Sequence, residues 1–190
     1  MPGKAIIVSQ PSLQHLAETH DKHTSEKFAA QREAKVAKEW GDLSENAEYK
    51  ASKEKFRLAG RLQQRVGREL KQLQNQGYVV VDPLDWVKGN TTPPTQIEVG
   101  VVARVNQRGF TEDYLLAGAK DNHLPTDVAL VPVPYTSPLG QVLMGRKAPS
   151  EFEAEIAGEK RRLRLEALRH PTREEICELY PELNGEAAGS

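Results

Sequence analysis

From Ser12 to Glu39 the chain contains neither proline nor glycine, and from Ser44 to Gln76 only Gly60 and Gly67 interrupt it. Two polar stretches of this length read as long helices, each of about 30 residues and roughly 45 Å. In the second, Tyr49, Phe56, Ala59, Leu62, Val66, Leu70 and Leu73 recur mostly at steps of three or four. That spacing draws one apolar seam between charged flanks. A seam so narrow needs one partner helix. The preceding stretch is adjacent, and Gly41 permits a tight reversal between the two. Leu13, Leu16, Phe28, Ala34 and Ala37 are expected to face the seam. The segment HLAETHDKHTSEK is polar, so the first helix is expected to fray or kink there. His20 and His23 within it read as a solvated helical face rather than a metal site, because no further ligands accompany them.

Two antiparallel helices of this length form a thin arm that buries little area per residue, so its far end or its flank must serve a purpose. The far end is WGDLSEN. Asp42 and Glu45 have the spacing of a capping box, and Ser44 is an alternative N-cap. Acids at a helix start also suit the positive end of the helix dipole. Spacing alone does not separate a cap from a functional acidic tip.

The formal net charge of -1 conceals an asymmetry. From Lys22 to Gln76 there are 13 Lys and Arg against 8 Asp and Glu; from Gly77 onward there are 12 against 17. A basic N-terminal part and an acidic C-terminal part suggest two units that meet different surfaces. Cys177 is the single cysteine, which excludes an internal disulfide and a thiolate zinc cluster. No apolar run is long enough to span a membrane, and the start MPGKAIIVSQ is too short in apolar residues for a secretory leader. A cytoplasmic, monomeric protein is the expectation.

Beyond Gly77 the pattern changes to short segments rich in branched residues: YVVVD, IEVGVVARV, DYLLAG, DVALVPVP, EFEAEIA and KRRLRLEAL. Phe152, Ala154 and Ile156 alternate with charges, as do Leu163 and Leu165, and Gly158-Glu159 reads as a hairpin turn. DPLDWVKGNTTPPTQ is a loop or linker. SPLGQVLMG has Ser137 as N-cap, Pro138 at the first helical position and Gly145 at the end. HPTREEICELYP predicts another short helix, capped by Thr172 with Glu175 and stopped by Pro181. The fold class is therefore α+β. An antiparallel coiled-coil hairpin occupies residues 1–76, with its acidic tip at 40–46. A small antiparallel sheet domain with a short helix occupies 77–169. An extension with a short helix and a loose tail occupies 170–190.

GDLSENAEYKASKEK resembles the tip and second helix of the bacterial GreA/GreB transcript cleavage factors, and YTSPLGQVLMGR looks like the short-helix motif of that family's FKBP-like C-terminal domain. The order agrees, and the likeness covers roughly residues 30–168. The resemblance implies that RNA polymerase is the partner. The hairpin would enter its secondary channel while the C-terminal domain docks at the entrance, with Ser137, Pro138, Leu139 and Gly140 as the expected contact. Asp42 and Glu45 fall at the family's acidic tip, which helps hold a magnesium ion shared with the polymerase active centre. Lys38, Lys53 and Arg57 would lie along the nascent RNA 3′ end, and Ser44 and Tyr49 would support the tip. On this reading the chain is not an enzyme by itself and binds no metal in isolation. Lys27-Phe28 stand where the family often carries Arg-Pro, and the tail from His170 runs past the family's usual end.

The same domain plan also serves relatives that occupy the channel and inhibit transcription without cleavage, and that alternative stays open. A prolyl isomerase would need an aromatic-lined pocket, for which Phe110, Tyr114, Tyr135 and Phe152 are few. Free RNA binding by the basic flank is expected to be weak and to fall steeply with salt.

Overall fold

The computed structural model describes residues 5–39, 47–87, 92–156 and 158–188, with side chains described as far as 184. The chain divides into two compact units, residues 14–78 and residues 6–13 with 79 onward.

The first unit is a helical hairpin. Helix α1 runs Gln10–Glu39 and α2 runs Ala47–Gln76. The polar segment of α1 is helical throughout and does not fray. Its side chains find partners across the hairpin, which explains its continuity. The helices are antiparallel: His20 packs against Gly67, Lys27 against Gly60 and Glu33 against Ser52 and Lys55. In α2 the buried positions are Ser52, Ala59, Val66 and Leu73, one every seven residues. In α1 Ala30 and Ala37 are buried on the same spacing. This is a heptad seam. Phe28 does not face it; it is 56% exposed. It falls one residue beyond the position that Lys27 takes, and Lys27 lies over the Phe56 ring at 5.8 Å.

The middle of the seam is polar. Gln63 Nε2 donates to Thr24 Oγ1 at 2.8 Å, and Lys27 Nζ donates to Gln63 Oε1 at 3.2 Å. Thr24 Oγ1 donates in turn to the His20 carbonyl at 2.9 Å. His20 and His23 are half-buried here and do not form the solvated face expected of them. They sit on the heptad positions that precede Lys27 and Ala30, so they turn toward α2. A polar seam position fixes register at some cost in stability.

The second unit is a sheet packed on both faces. Its strands are β3 Val102–Gln107, β4 Phe110–Ala117, β5 Leu130–Pro134, β6 Ser150–Ile156 and β7 Glu159–Arg169. Their spatial order is β5-β4-β3-β7-β6. All pairs are antiparallel except β4 with β5, which is parallel. Residues 118–129 return the chain to the starting end of β4 instead of making a hairpin, so the sheet is antiparallel with one parallel edge pair. Two further strands, β1 Ile6–Ser9 and β2 Tyr78–Val81, pair separately. The β6–β7 turn is closed by the Ile156–Glu159 pair, with Gly158 at φ 80°. Glu159 thus opens β7, one position on from the predicted turn.

Alternation along the strands feeds two cores. Ala103, Val105, Leu116, Phe152, Ala154, Leu163 and Leu165 pack with Leu143 of the short helix α3, Pro138–Leu143. Val102, Leu115 and Leu130 pack on the other face with Leu84, Trp86, Ile176, Leu179, Tyr180 and Leu183. Helix α4, Arg173–Leu179, is the short helix expected beyond His170, and Ile176 and Leu179 bury it in the core. Its start has the expected capping box between Thr172 and Glu175. Arg169 forks onto Glu175 at 2.6 and 2.8 Å and also donates to Asp113 at 2.9 Å. Asp113 accepts from Arg104 at 2.8 Å as well.

Candidate functional site

The bend between α1 and α2, with Asp42, Ser44 and Glu45, lies outside the described residues. What the structure supplies is its two supports. Helix α1 is regular to Glu39 and α2 resumes at Ala47, so seven residues join two helices of 30 residues each. A helix of that length carries its end roughly 45 Å from its start.

The supports are built for close approach near the bend. Small side chains occupy the seam there: Ala30 and Ala37 from α1, Ser52 and Ala59 from α2. Lys55 Nζ reaches Glu33 at 3.2 Å and Ser52 Oγ donates to the same carboxylate at 3.5 Å, which ties the helices together across the seam. Glu48 stands in the first turn of α2 and Lys38 in the last turn of α1, each at the helix end its charge suits.

Lys38, Lys53 and Arg57 are all exposed. Lys53 lies over the Tyr49 ring at 5.7 Å, one helical turn away. Tyr49 is half-buried, and the contact is made by the Lys53 ammonium itself, which rests over the ring at the helix surface. Lys53 is six residues into α2, about 9 Å along the axis from its start, and Arg57 follows one turn later. Lys53 and Arg57 share one flank of α2, while Lys38 belongs to the last turn of α1. Among the described residues no group of three or more His, Cys, Asp or Glu is arranged to hold a metal ion.

In the second unit, Ser137 caps α3: its Oγ accepts from the Gly140 amide at 3.1 Å. Gly140 is buried, and a Cβ there would collide with the Pro134 carbonyl and the Tyr135 backbone. Leu139 packs onto the core beneath. Pro138 is exposed and Gln141 beside it is exposed. The SPLG motif is therefore mostly a device that presents a tight helix start, with Pro138 and Gln141 at its surface.

Several residues escaped the sequence reading. Thr24, Gln63 and Lys27 form the polar centre of the seam; a strict ruler of seven drawn through Ala59, Val66 and Leu73 would have placed Gln63 and its neighbours near it. Asp121 is fully buried and was not singled out, because nothing local in its sequence marks it.

Comparison with known proteins agrees with the hairpin. Residues 6–77 match the family described as transcription elongation factor, N-terminal, of GreA and GreB. A transcription elongation factor GreA of Lachnoclostridium phytofermentans is 28% identical over 162 residues, covering 83% of this chain and 91% of that protein. Among solved structures, GreA factor homolog 1 of Thermus thermophilus aligns at 14% identity and a TM-score of 0.34, covering 87% of this chain and 99% of that one. A GreA/GreB elongation factor from Nitrosomonas europaea aligns at 15% identity and a TM-score of 0.33, covering 87% and 99%.

Proposed function

We propose that the chain, whose residues 6–77 match the N-terminal family of GreA and GreB elongation factors, binds RNA polymerase and stimulates hydrolysis of backtracked RNA by presenting Asp42 and Glu45 to the polymerase active centre through the secondary channel. One observation supports this reading: both acids of the GDLSENAEY motif belong to the seven residues that join two antiparallel helices of 30 residues each.

The donor set fits magnesium in kind and falls short in number. Magnesium prefers six oxygen ligands in an octahedron and keeps water readily. Two carboxylates supply at most part of that shell, so they act only where the polymerase's own acids and an RNA phosphate complete it. When bound there, the ion activates water and stabilises the departing oxygen. Asp42 and Glu45 orient the ligands of that shared shell. Lys38, Lys53 and Arg57 hold the RNA backbone behind the tip, and the pair of Lys53 with Tyr49 keeps one of these cations in place. The chain is then no enzyme alone: it lends side chains to another protein's site. Pro138 and Gln141 on α3 are the proposed contact at the channel entrance.

The test uses stalled, backtracked complexes of the cognate polymerase. Wild type shortens the RNA, whereas Asp42→Asn and Glu45→Ala do not. Equal shortening by all three removes the role of the acids. Slowed nucleotide addition by wild type with no shortened RNA identifies a channel-occupying regulator instead.

A further inference from the structure

The second unit contains a fully buried carboxylate whose four hydrogen-bond donors come from three distant parts of the chain. Asp121 Oδ1 accepts from Ser9 Oγ at 2.5 Å and from Ser12 Oγ. Its Oδ2 accepts from the Gly118 amide at 2.5 Å and from the Tyr180 hydroxyl at 2.9 Å. Two oxygens offer about four acceptor positions, so the group is saturated. Ser9, Ser12, Asp121 and Tyr180 are each 0% exposed.

The serines belong to the root of α1. Ser9 Oγ also accepts from the Ser12 amide at 3.3 Å, which makes it the cap of that helix. The same segment is held by its backbone: the Ala119 amide donates to the Ile7 carbonyl at 2.9 Å, and the Ile7 amide donates to the Tyr135 hydroxyl at 3.1 Å. Gly118 has no room for a side chain, since a Cβ would lie 2.9 Å from Asp121 Oδ2 and 3.0 Å from the Ser9 nitrogen. Tyr180 follows α4 directly and packs edge-on against Trp86 at 6.3 Å. Burial first, and then the Asp121 charge, push its phenol far above the ordinary range, so it stays a donor.

We propose that the C-terminal segment 172–183 is an internal strap on the root of the hairpin's first helix, and that Asp121 is the buckle through which the two ends of the chain hold each other. Residues 6–13 and residues 172–183 share one acceptor. Loss of either set of donors leaves a buried carboxylate short of partners, a costly state that loosens the other set. The coupling is therefore reciprocal. This inference is independent of any polymerase chemistry and gives the segment beyond His170 a task other than filling the core.

Amide hydrogen exchange on the full chain tests it. Tyr180→Phe removes only a hydroxyl. It is expected to speed exchange at residues 7–13 by about tenfold while β3 and β7 keep their protection. The double variant Ser9→Ala, Ser12→Ala is expected to speed exchange at residues 176–183, the opposite end of the chain. Faster exchange confined to the neighbourhood of each substitution, a uniform increase throughout the unit, or no change would each overturn the strap. Asp121→Asn should loosen both ends at once, and if that variant does not fold, the two hydroxyl deletions decide the matter alone.

Discussion

Replacing Arg169 by Met should destabilise the sheet unit in a way that depends on pH. Arg169 is the last residue of β7, and its guanidinium joins that strand to α4 and to β4. The substitution removes a two-pronged bond to Glu175 and a single bond to Asp113. Asp113 keeps Arg104, and Glu175 keeps Thr172, whose amide donates to it at 2.8 Å. An exposed ion pair is worth under about 1 kcal/mol, and breaking a buried one costs about 3–5 kcal/mol. Here the guanidinium is 37% exposed and the carboxylates 13% and 22%. Discounted for that exposure, the loss is about 2 kcal/mol at pH 7, or on the order of 8 °C in melting temperature. The sign with pH follows from the carboxylates. The hydrogen bonds from Arg169 hold Glu175 below its ordinary value against the opposing effect of burial. Burial pushes Asp113 up, but the bonds from Arg104 and Arg169 together outweigh it and leave it low. A depressed carboxylate stabilises the fold above its unfolded value of about pH 4, and that contribution vanishes as pH falls through the lower folded value. Urea denaturation followed by Trp86 emission, in a Trp40→Phe background, measures the difference. It should be full at pH 7 and shrink steadily below about pH 4. A difference of the same size at pH 7 and pH 3, or none at pH 7, refutes the electrostatic account.

Leu73→Ala should cost about 2–4 kcal/mol by circular dichroism melting, because Leu73 is 1% exposed in the seam; Phe28→Ala should change stability by less than about 0.5 kcal/mol, and the reverse ranking would disprove the register. Gly140→Ala should destabilise the sheet unit by about 1–3 kcal/mol, read as an earlier urea midpoint, since the new methyl meets backbone rather than a movable side chain. Gln63→Leu should leave the melting temperature unchanged or raise it while adding self-association seen in sedimentation, because the polar centre of the seam buys register at some cost in stability.

Much of this fold was legible because its signals are local. The helix lengths followed from where proline and glycine are missing, and the caps at Ser137 and Thr172 followed from spacing that only a helix start uses. Phe28 misled because hydrophobicity was weighed above phase: one residue of offset rotates a side chain by about 100°. The His20 and His23 error has the same origin in reverse, polar residues on an inward heptad position. Parallel β5, the Arg169 fork and the Asp121 buckle were not legible, since each depends on segments that sequence order does not bring together. The acidic motif at 40–46 lies outside the described residues, and its likeness to a family, rather than its spacing, is what argues for a role beyond a helix cap.

The most direct test of the proposed role measures polymerase binding and RNA cleavage side by side for wild type and the double variant Asp42→Asn, Glu45→Gln. If the arm exists to deliver two carboxylates, the variant binds the polymerase as tightly as wild type, competes with it, and releases no RNA fragment from a backtracked complex. Retention of cleavage by the variant, or cleavage lost only in step with binding, contradicts that role.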